Sequence, residues 1–241
     1  MAVTPYQNTG TGKKDQVEEM FDNISPRYDL LNHLLSANID KLWRRKAVNR
    51  LRKFHPAHIL DIATGTADFA IAASRISPEK ITGVDLSEGM LKMGREKVKR
   101  KGLSSIISLQ KADSEKLPFE DNKFDAAIVG FGVRNFEHPD TGLSEIYRVL
   151  RKGGVLIILE FSKPRNKLIR SIYFFYFTRV LPFWGKLLSR DDRAYTYLPE
   201  SVMEFPDGEN FTGLLEKAGF SACKASPQTM GIATIYEAQK H

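Results

Sequence analysis

The stretch His58-Ile-Leu-Asp-Ile-Ala-Thr-Gly-Thr-Ala-Asp68 constrains this chain more than any other. An apolar run carrying Asp61 near its end meets a turn at Thr64-Gly65-Thr66, and Asp68 then opens an apolar-periodic segment. That order reads as strand, tight loop, helix, the first βα unit of an open α/β sheet. In such sheets a ligand sits beyond the carboxyl ends of the strands, where the loops leave room. Gly65 suits the point of closest approach, because it has no Cβ to obstruct a bound molecule and takes a positive φ readily.

The second strand, Lys80-Ile-Thr-Gly-Val-Asp-Leu86, ends in Asp85, which lies 20 residues after Gly65. An acid at that spacing, on the tip of the second strand, is where a nucleotide-like ligand has its ribose hydroxyls bound. A pyrophosphate needs a G-x-G-x-x-G loop, whereas here Gly65 stands alone among Thr64, Thr66 and Ala67. A nicotinamide oxidoreductase would require those missing glycines. A ribose-bearing cofactor without phosphate fits better, and S-adenosylmethionine is the candidate. The plain alternative is an ordinary βα turn beside a surface Asp.

The remaining pattern continues the alternation. Ser87 caps a helix running to Lys101, a third strand spans Ile106 to Leu109, and Asp113 and Ser114 follow at its carboxyl edge. There they could bind an adenine amine, or simply form a solvated loop. The fourth strand, Phe124 to Phe131, is a near-continuous apolar run of the kind buried on both faces. It opens into Gly132-Val-Arg-Asn-Phe-Glu-His138, with Gly130 and Gly132 giving backbone space and Arg134, Asn135 and His138 as the polar groups. That loop is the place to look for chemistry, although a salt bridge or cap is the ordinary role for any one of the three. A fourth helix spans Thr141 to Leu150, Arg151-Lys-Gly-Gly154 turns tightly, and the fifth strand spans Val155 to Phe161. A helix over Phe211 to Gly219 and strands near Ala222–Ser226 and Ala233–Gln239 close the chain as an antiparallel pair.

Before the first strand, Asp15-Gln-Val-Glu18 reads as a capping box, and Val17, Met20, Phe21 and Ile24 form an amphipathic stripe. Ser25 is expected to cap a short helix with Pro26 at its first position, and Asp40 to cap Lys41 to Phe54. Residues 1–54 are thus a helical cover, either a lid over the cofactor or a cap on the sheet edge. With 241 residues and no mark of a second domain, one core is expected.

Charge is concentrated. Between Lys163 and Arg193 lie eight basic residues against Asp191 and Asp192, nearly the whole of the +7 excess. The same segment, 163–200, carries Tyr173, Phe174, Phe175, Tyr176, Phe177, Phe183 and Trp184. Rings beside basic groups suit a nucleic-acid stacking platform, an interfacial helix, or a core helix on the sheet. A lone Cys223 fits a reducing compartment, five scattered histidines predict no metal, and no apolar run is long enough to span a bilayer. A cytoplasmic protein is expected.

Several longer motifs resemble the ubiquinone/menaquinone biosynthesis C-methyltransferases across essentially the whole chain. They are Tyr28-Asp29-x-x-Asn32-x-x-Leu35-Ser36 followed by Trp43, Leu117-Pro-Phe-x-Asp-Asn-x-Phe-Asp125, Phe131-Gly-Val-Arg-Asn135, Arg148 through Ser162, and Tyr195-x-Tyr-Leu-Pro-Glu-Ser201 with Phe205-Pro206. Where the family often has Ser this chain has Gly130, which leaves only backbone to meet a cofactor there.

The resemblance implies a Rossmann-like class I S-adenosylmethionine-dependent methyltransferase fold, with a seven-stranded, mostly parallel α/β sheet and a terminal antiparallel strand. It implies Thr66, Asp85, Asp113 and Ser114 as cofactor contacts, with Gly130 contributing at most backbone, and these join Asp61 and Gly65 of the first βα unit as the expected cofactor residues. The implied reaction is methylation of demethylmenaquinol to menaquinol, with a methoxy-polyprenyl-benzoquinol or an RNA as alternatives. The absence of an N-P-P-Y-type segment after the fourth strand speaks against base-amine methylation, so no nucleic-acid partner is expected. Arg134 and Asn135 are assigned to the developing phenolate and His138 to the proton. A polyprenyl quinol substrate gives the aromatic, basic insertion a use, peripheral contact with the inner face of the membrane. A homodimer is left open.

Overall fold

A computed structural model describes residues 3–6, 10–28, 38–180 and 193–241. Seven strands form one sheet in the order β3-β2-β1-β4-β5-β7-β6: β1 His58–Ile62, β2 Lys80–Asp85, β3 Ile107–Lys111, β4 Phe124–Gly130, β5 Leu150–Phe161, β6 Ser221–Gln228 and β7 Ala233–Gln239. The first five are parallel to one another, and β7 runs antiparallel between β5 and β6. The strand order reverses between β1 and β4, so their carboxyl tips diverge and leave a crevice.

Helices cover both faces because the central strands are apolar on both sides. On β5, Val155, Ile157 and Leu159 face one way, packing with Trp43, Ala47, Val48 and Leu51 of helix α2 (Ile39–Leu51) and with Phe69, Ala70 and Ala73 of α3 (Asp68–Ala73). Leu156 and Ile158 face the other way, against Leu143, Ile146 and Val149 of α5 (Pro139–Val149) and Phe211 and Leu215 of α8 (Glu209–Lys217). A strand buried on both faces needs an unbroken apolar run, and β4 and β5 have one.

The N-terminal cover begins with α1 (Lys13–Ile24). Val17, Met20 and Ile24 are buried against Met90, on α4 (Glu88–Arg100), and Tyr197, on α7 (Arg193–Glu204). Three expected caps are corrected. Helix α1 starts two residues before Asp15, with Gly12 at its N-cap. Ser25 donates its hydroxyl back to the Asp22 carbonyl, 2.9 Å away, although Pro26 does open a 3-10 turn. Asp40 lies inside α2 and pairs with Arg44 one turn on. In each case the helix or turn begins further toward the N-terminus, and at Asp40 the carboxylate pairs with Arg44 instead of capping.

The expected tight turn at Arg151-Lys-Gly-Gly154 belongs to β5 itself, as a bulge opposite Asp125. Of the aromatic insertion, α6 (Lys167–Phe175) and a π-helical segment, Tyr176–Val180, are described. The rings of Phe183 and Trp184 and the motif from Asp29 to Ser36 lie outside the described residues. Among the described residues no helix is long and apolar enough to cross a membrane.

Candidate active site

Strand β1 ends and the chain turns through Ala63, Gly65 and Ala67, all at positive φ (52°, 54° and 66°). For the two alanines this conformation costs about 1–2 kcal/mol each. Such strain persists only where surrounding structure over-determines it, and that occurs mostly at functional sites. Here Thr64 N donates to Val84 O at 2.9 Å, fixing the loop against β2. Gly132 completes the crevice from the β4 side. A Cβ there would lie 2.5 Å from that of Ala63, so only glycine lets the two strand tips approach this closely.

A cavity opens at these tips, lined by Gly65 and Ala63 from β1, Asp85 and Ser87 after β2, Asp113 and Ser114 after β3, and Gly130, Gly132 and Asn135 after β4. Asp85 holds the loop: its Oδ2 accepts from Gly65 N at 2.8 Å and its Oδ1 from Ser87 N at 2.9 Å. The lone pairs this carboxylate keeps suit a vicinal diol. Burial pushes this carboxyl up to about 6. At neutral pH it is still an anion, set in a poorly solvated place.

Helix α1 roofs the cavity with Lys14, Val17, Glu18 and Phe21. Lys14 reaches Asp113 at 3.0 Å, and Lys111 reaches Glu18 at 2.5 Å. Lys13 Nζ donates to the carbonyls of Arg134 and Phe136 at 3.0 and 2.9 Å. Within the N-terminal cover, α1 thus lies over the cavity while α2 packs on the sheet.

A second, smaller cavity shares Tyr28, Ala63, Gly65 and Gly130 with the first and adds Arg44, Asp61, Thr64, Thr66, Asp68 and Phe69. Asp61 is fully buried, and burial pushes its carboxyl up to about 7. Thr66 accepts a hydrogen bond from Lys97 Nζ at 2.9 Å. Gly130 offers backbone only, and a Cβ there would meet the Phe69 ring at 2.9 Å. The seven residues expected around a cofactor are therefore divided: Asp85, Asp113 and Ser114 line the larger cavity, Asp61 and Thr66 the smaller, Gly65 and Gly130 both.

The three residues expected to act chemically separate. Asn135 lines the larger cavity, and its Oδ1 accepts from the Tyr197 hydroxyl at 3.2 Å. Burial pushes Tyr197 up to about 12, so it stays a donor. Arg134 does not line that cavity: its Nη1 pairs with the fully buried Glu160 at 2.8 Å and also donates to the Phe131 carbonyl. It ties the tip of β4 to the tip of β5. His138 is exposed and stands at the N-cap of α5, its backbone N–H bonded to Glu115 at 2.8 Å. His138 does not line the larger cavity. Glu160 and Tyr197 escaped the sequence reading. Glu160 was legible, since it ends an apolar strand with a lone acid as Asp61 and Asp85 do. Tyr197 carries no such signal.

The residues fit S-adenosylmethionine. A nucleoside finds a half-buried carboxylate at Asp85 and an uncharged wall in Val84, Leu86 and Met90. A charged amino-acid end finds buried groups of both signs, Arg44 and Asp61, in the smaller cavity.

Known proteins agree. The model of the ubiE/COQ5 methyltransferase family matches residues 9–240. The chain is 51% identical to the demethylmenaquinone methyltransferase of Bacteroides fragilis, covering 99% of this chain and 97% of that protein. It is 46% identical to the ubiquinone/menaquinone biosynthesis C-methyltransferase UbiE of Geobacter sulfurreducens, covering 99% and 93%. A solved S-adenosylmethionine-dependent methyltransferase from Thermotoga maritima superposes with a TM-score of 0.65 at 21% identity, covering 93% of this chain and 99% of that one. The last likeness shows the fold. Matched over nearly its whole length by the family model and by these relatives, the chain belongs to the ubiE/COQ5 methyltransferase family.

Proposed function

We propose that the protein transfers the methyl group of S-adenosylmethionine to a ring carbon of demethylmenaquinol, giving menaquinol. The observation that carries the reading is a single roofed cavity with two unlike walls. Asp85, Asp113 and Ser114 form one, and Asn135 with Phe131 and Phe136 forms the other. The first suits a nucleoside and the second an aromatic ring bearing hydroxyls. The relatives in Bacteroides fragilis and Porphyromonas gingivalis, 51% and 43% identical, are named for demethylmenaquinone methylation.

S-adenosylmethionine, when bound, supplies an electrophilic methyl carbon. The chain's own residues hold the quinol ring and manage its phenolic oxygen. Asn135 has its Oδ1 engaged by Tyr197, which leaves the amide N–H groups to stabilise negative charge on that oxygen. Positioning supplies most of the remaining rate. Helix α1 excludes water from the reacting centre, and Arg134, paired with Glu160, keeps the loop carrying Asn135 in place.

A prenylated substrate resides in lipid, so the protein must meet a membrane surface. Leu168, Ile172 and Phe175 of α6 lie on one helix face and are 70%, 62% and 64% exposed, beside exposed Lys167 and Arg170. An apolar stripe flanked by cations is the pattern of an interfacial helix. Mass spectrometry of quinones from cells lacking the protein tests the reading. Accumulation of demethylmenaquinone, reversed by the wild-type chain, is expected. Unchanged menaquinone overturns it, and accumulation of an unmethylated methoxybenzoquinone moves the substrate to the ubiquinone series.

A further inference from the structure

The smaller cavity has buried charges of both signs in its wall, each with an atom that lacks a hydrogen-bond partner among the described residues. Arg44 is 8% exposed, and its guanidinium sits 5.4 Å from the Phe131 ring centroid. One end of that guanidinium pairs with Asp40, while Nε has no hydrogen-bond partner among the described residues. Asp61 is 0% exposed. Its Oδ2 accepts from Thr64 Oγ1 at 2.6 Å and Ala70 N at 2.9 Å, whereas Oδ1 has no hydrogen-bond partner among the described residues.

Buried polar atoms are almost always satisfied, and a buried charge left partly unmatched is costly. Two such atoms of opposite character in one cavity mark a place for a ligand group that carries both complements. An α-amino acid is such a group, an ammonium donor and a carboxylate acceptor two bonds apart. The cavities meet at Gly65, with Asp85 lining only the larger and Arg44 and Asp61 only the smaller. A molecule held by its ribose at Asp85 and crossing Gly65 would therefore bring its far end to Arg44 and Asp61.

We propose that Arg44 is a cofactor-binding residue, its Nε–H donating to the carboxylate of the methionyl end while Asp61 Oδ1 accepts from the ammonium. This rests on the reading that the nucleoside lies at Asp85. It gives α2, otherwise a packing helix, a part in choosing the ligand. Nucleosides that lack the amino acid are discriminated against, and so is the decarboxylated cofactor. Asp40 is a positioning residue, fixing the guanidinium from the side away from the ligand.

Titration calorimetry on the full chain tests this with two probes. S-adenosylhomocysteine carries the amino-acid end, and 5′-methylthioadenosine shares the nucleoside and thioether but lacks it. Wild type is expected to bind the former at least about tenfold more tightly, since hydrogen bonds to charged groups contribute on that scale. Arg44→Gln alone removes the cation that Asp40 pairs with inside the fold, so the variant to use is Asp40→Asn/Arg44→Gln. It should lose about 10- to 100-fold in affinity for S-adenosylhomocysteine and stay within about twofold for methylthioadenosine. Asp40→Asn alone should keep most of the preference. Arg44→Lys, which retains a cation against Asp40 and hence the fold, should lower the preference without abolishing it. Equal affinity of wild type for the two probes overturns the assignment, as does an unchanged preference in both Arg44 variants. If neither probe binds wild type, the nucleoside reading at Asp85 has failed instead.

Discussion

Lys14 Nζ lies 3.0 Å from Asp113 Oδ2, and this ion pair joins helix α1 to the chain after β3 across the mouth of the cavity. Further contacts complete the latch. Asp22 Oδ1 accepts from Ser87 Oγ at 2.5 Å and Gly89 N at 2.9 Å, and Lys13 holds the loop after β4. Asp113 raises the Lys14 pKa, first through its hydrogen bond and then through its charge. The pair is partly exposed, at 40% and 24%, so it contributes only about 0.2–1 kcal/mol. Lys14→Ala should accordingly leave the unfolding midpoint nearly unchanged. Release of S-adenosylhomocysteine, followed by stopped flow, should quicken by up to about fivefold. An unchanged release rate would mean that α1 does not gate the cavity.

Arg134 presents the opposite case, a pair whose members are 8% and 0% exposed. Removing the cation leaves Glu160 charged and buried, which costs about 3–5 kcal/mol. Arg134→Met should lower the unfolding midpoint by roughly 6–20 °C. The double variant Arg134→Met/Glu160→Gln should recover most of that loss. Were Arg134 instead a direct contact to substrate, the single variant would melt like wild type and lose turnover alone.

Asp85 and Asp61 give the site a pH dependence whose sign follows from burial. Their carboxyls are raised to about 6 and about 7, chiefly by desolvation. Asp85 also feels the charge of Asp22, and Asp61 those of Arg44 and Asp85. A raised carboxyl favours the neutral form in the empty protein. The stability it contributes is full below the ordinary value of 3.8 and is lost as pH rises through 6 to 7. Ligand hydroxyls and an ammonium require the anions, so affinity runs the other way. Binding of S-adenosylhomocysteine should strengthen from roughly pH 5.5 to roughly pH 8 and release protons in the lower half of that range. Calorimetry in buffers of different ionisation heat measures both. A flat affinity without proton release contradicts the assignment.

The exposed face of α6 is accessible to a direct test. Leu168→Ser/Ile172→Ser/Phe175→Ser should fold normally, because those side chains are 62–70% exposed. Co-sedimentation with anionic vesicles should fall at least about tenfold, since each buried apolar side chain contributes about 1.5–3 kcal/mol. Equal sedimentation of the variant would remove the membrane role from this helix.

Much of this architecture was legible from residue order, for physical reasons. Strands buried on both faces must be unbroken apolar runs, so β4 and β5 announced themselves, and the acids at Asp61 and Asp85 marked strand ends that face a ligand. Gly65, Gly130 and Gly132 marked loops with room for a ligand, while the crevice between β1 and β4 comes from the strand order. The fate of Arg134 was not legible. Its partner Glu160 is distant in sequence, and only the pairing of β4 with β5 brings them together. Local cues failed at Asp15, Ser25 and Asp40 for a similar reason: each resembled a cap, and a longer helix or a neighbouring charge claimed it. The pairing of Asn135 with Tyr197 likewise depends on how α7 packs on the loop after β4.

The central claim is that a nucleoside-bearing sulfonium cofactor lies across Gly65 with its ribose on Asp85. Titration of S-adenosylmethionine into wild type and Asp85→Asn tests it most directly. Wild type should give a clear binding isotherm and the variant an affinity at least about tenfold weaker, since hydrogen bonds to a charged acceptor are lost. Absence of heat with wild type, or an unaltered affinity with Asp85→Asn, would contradict it.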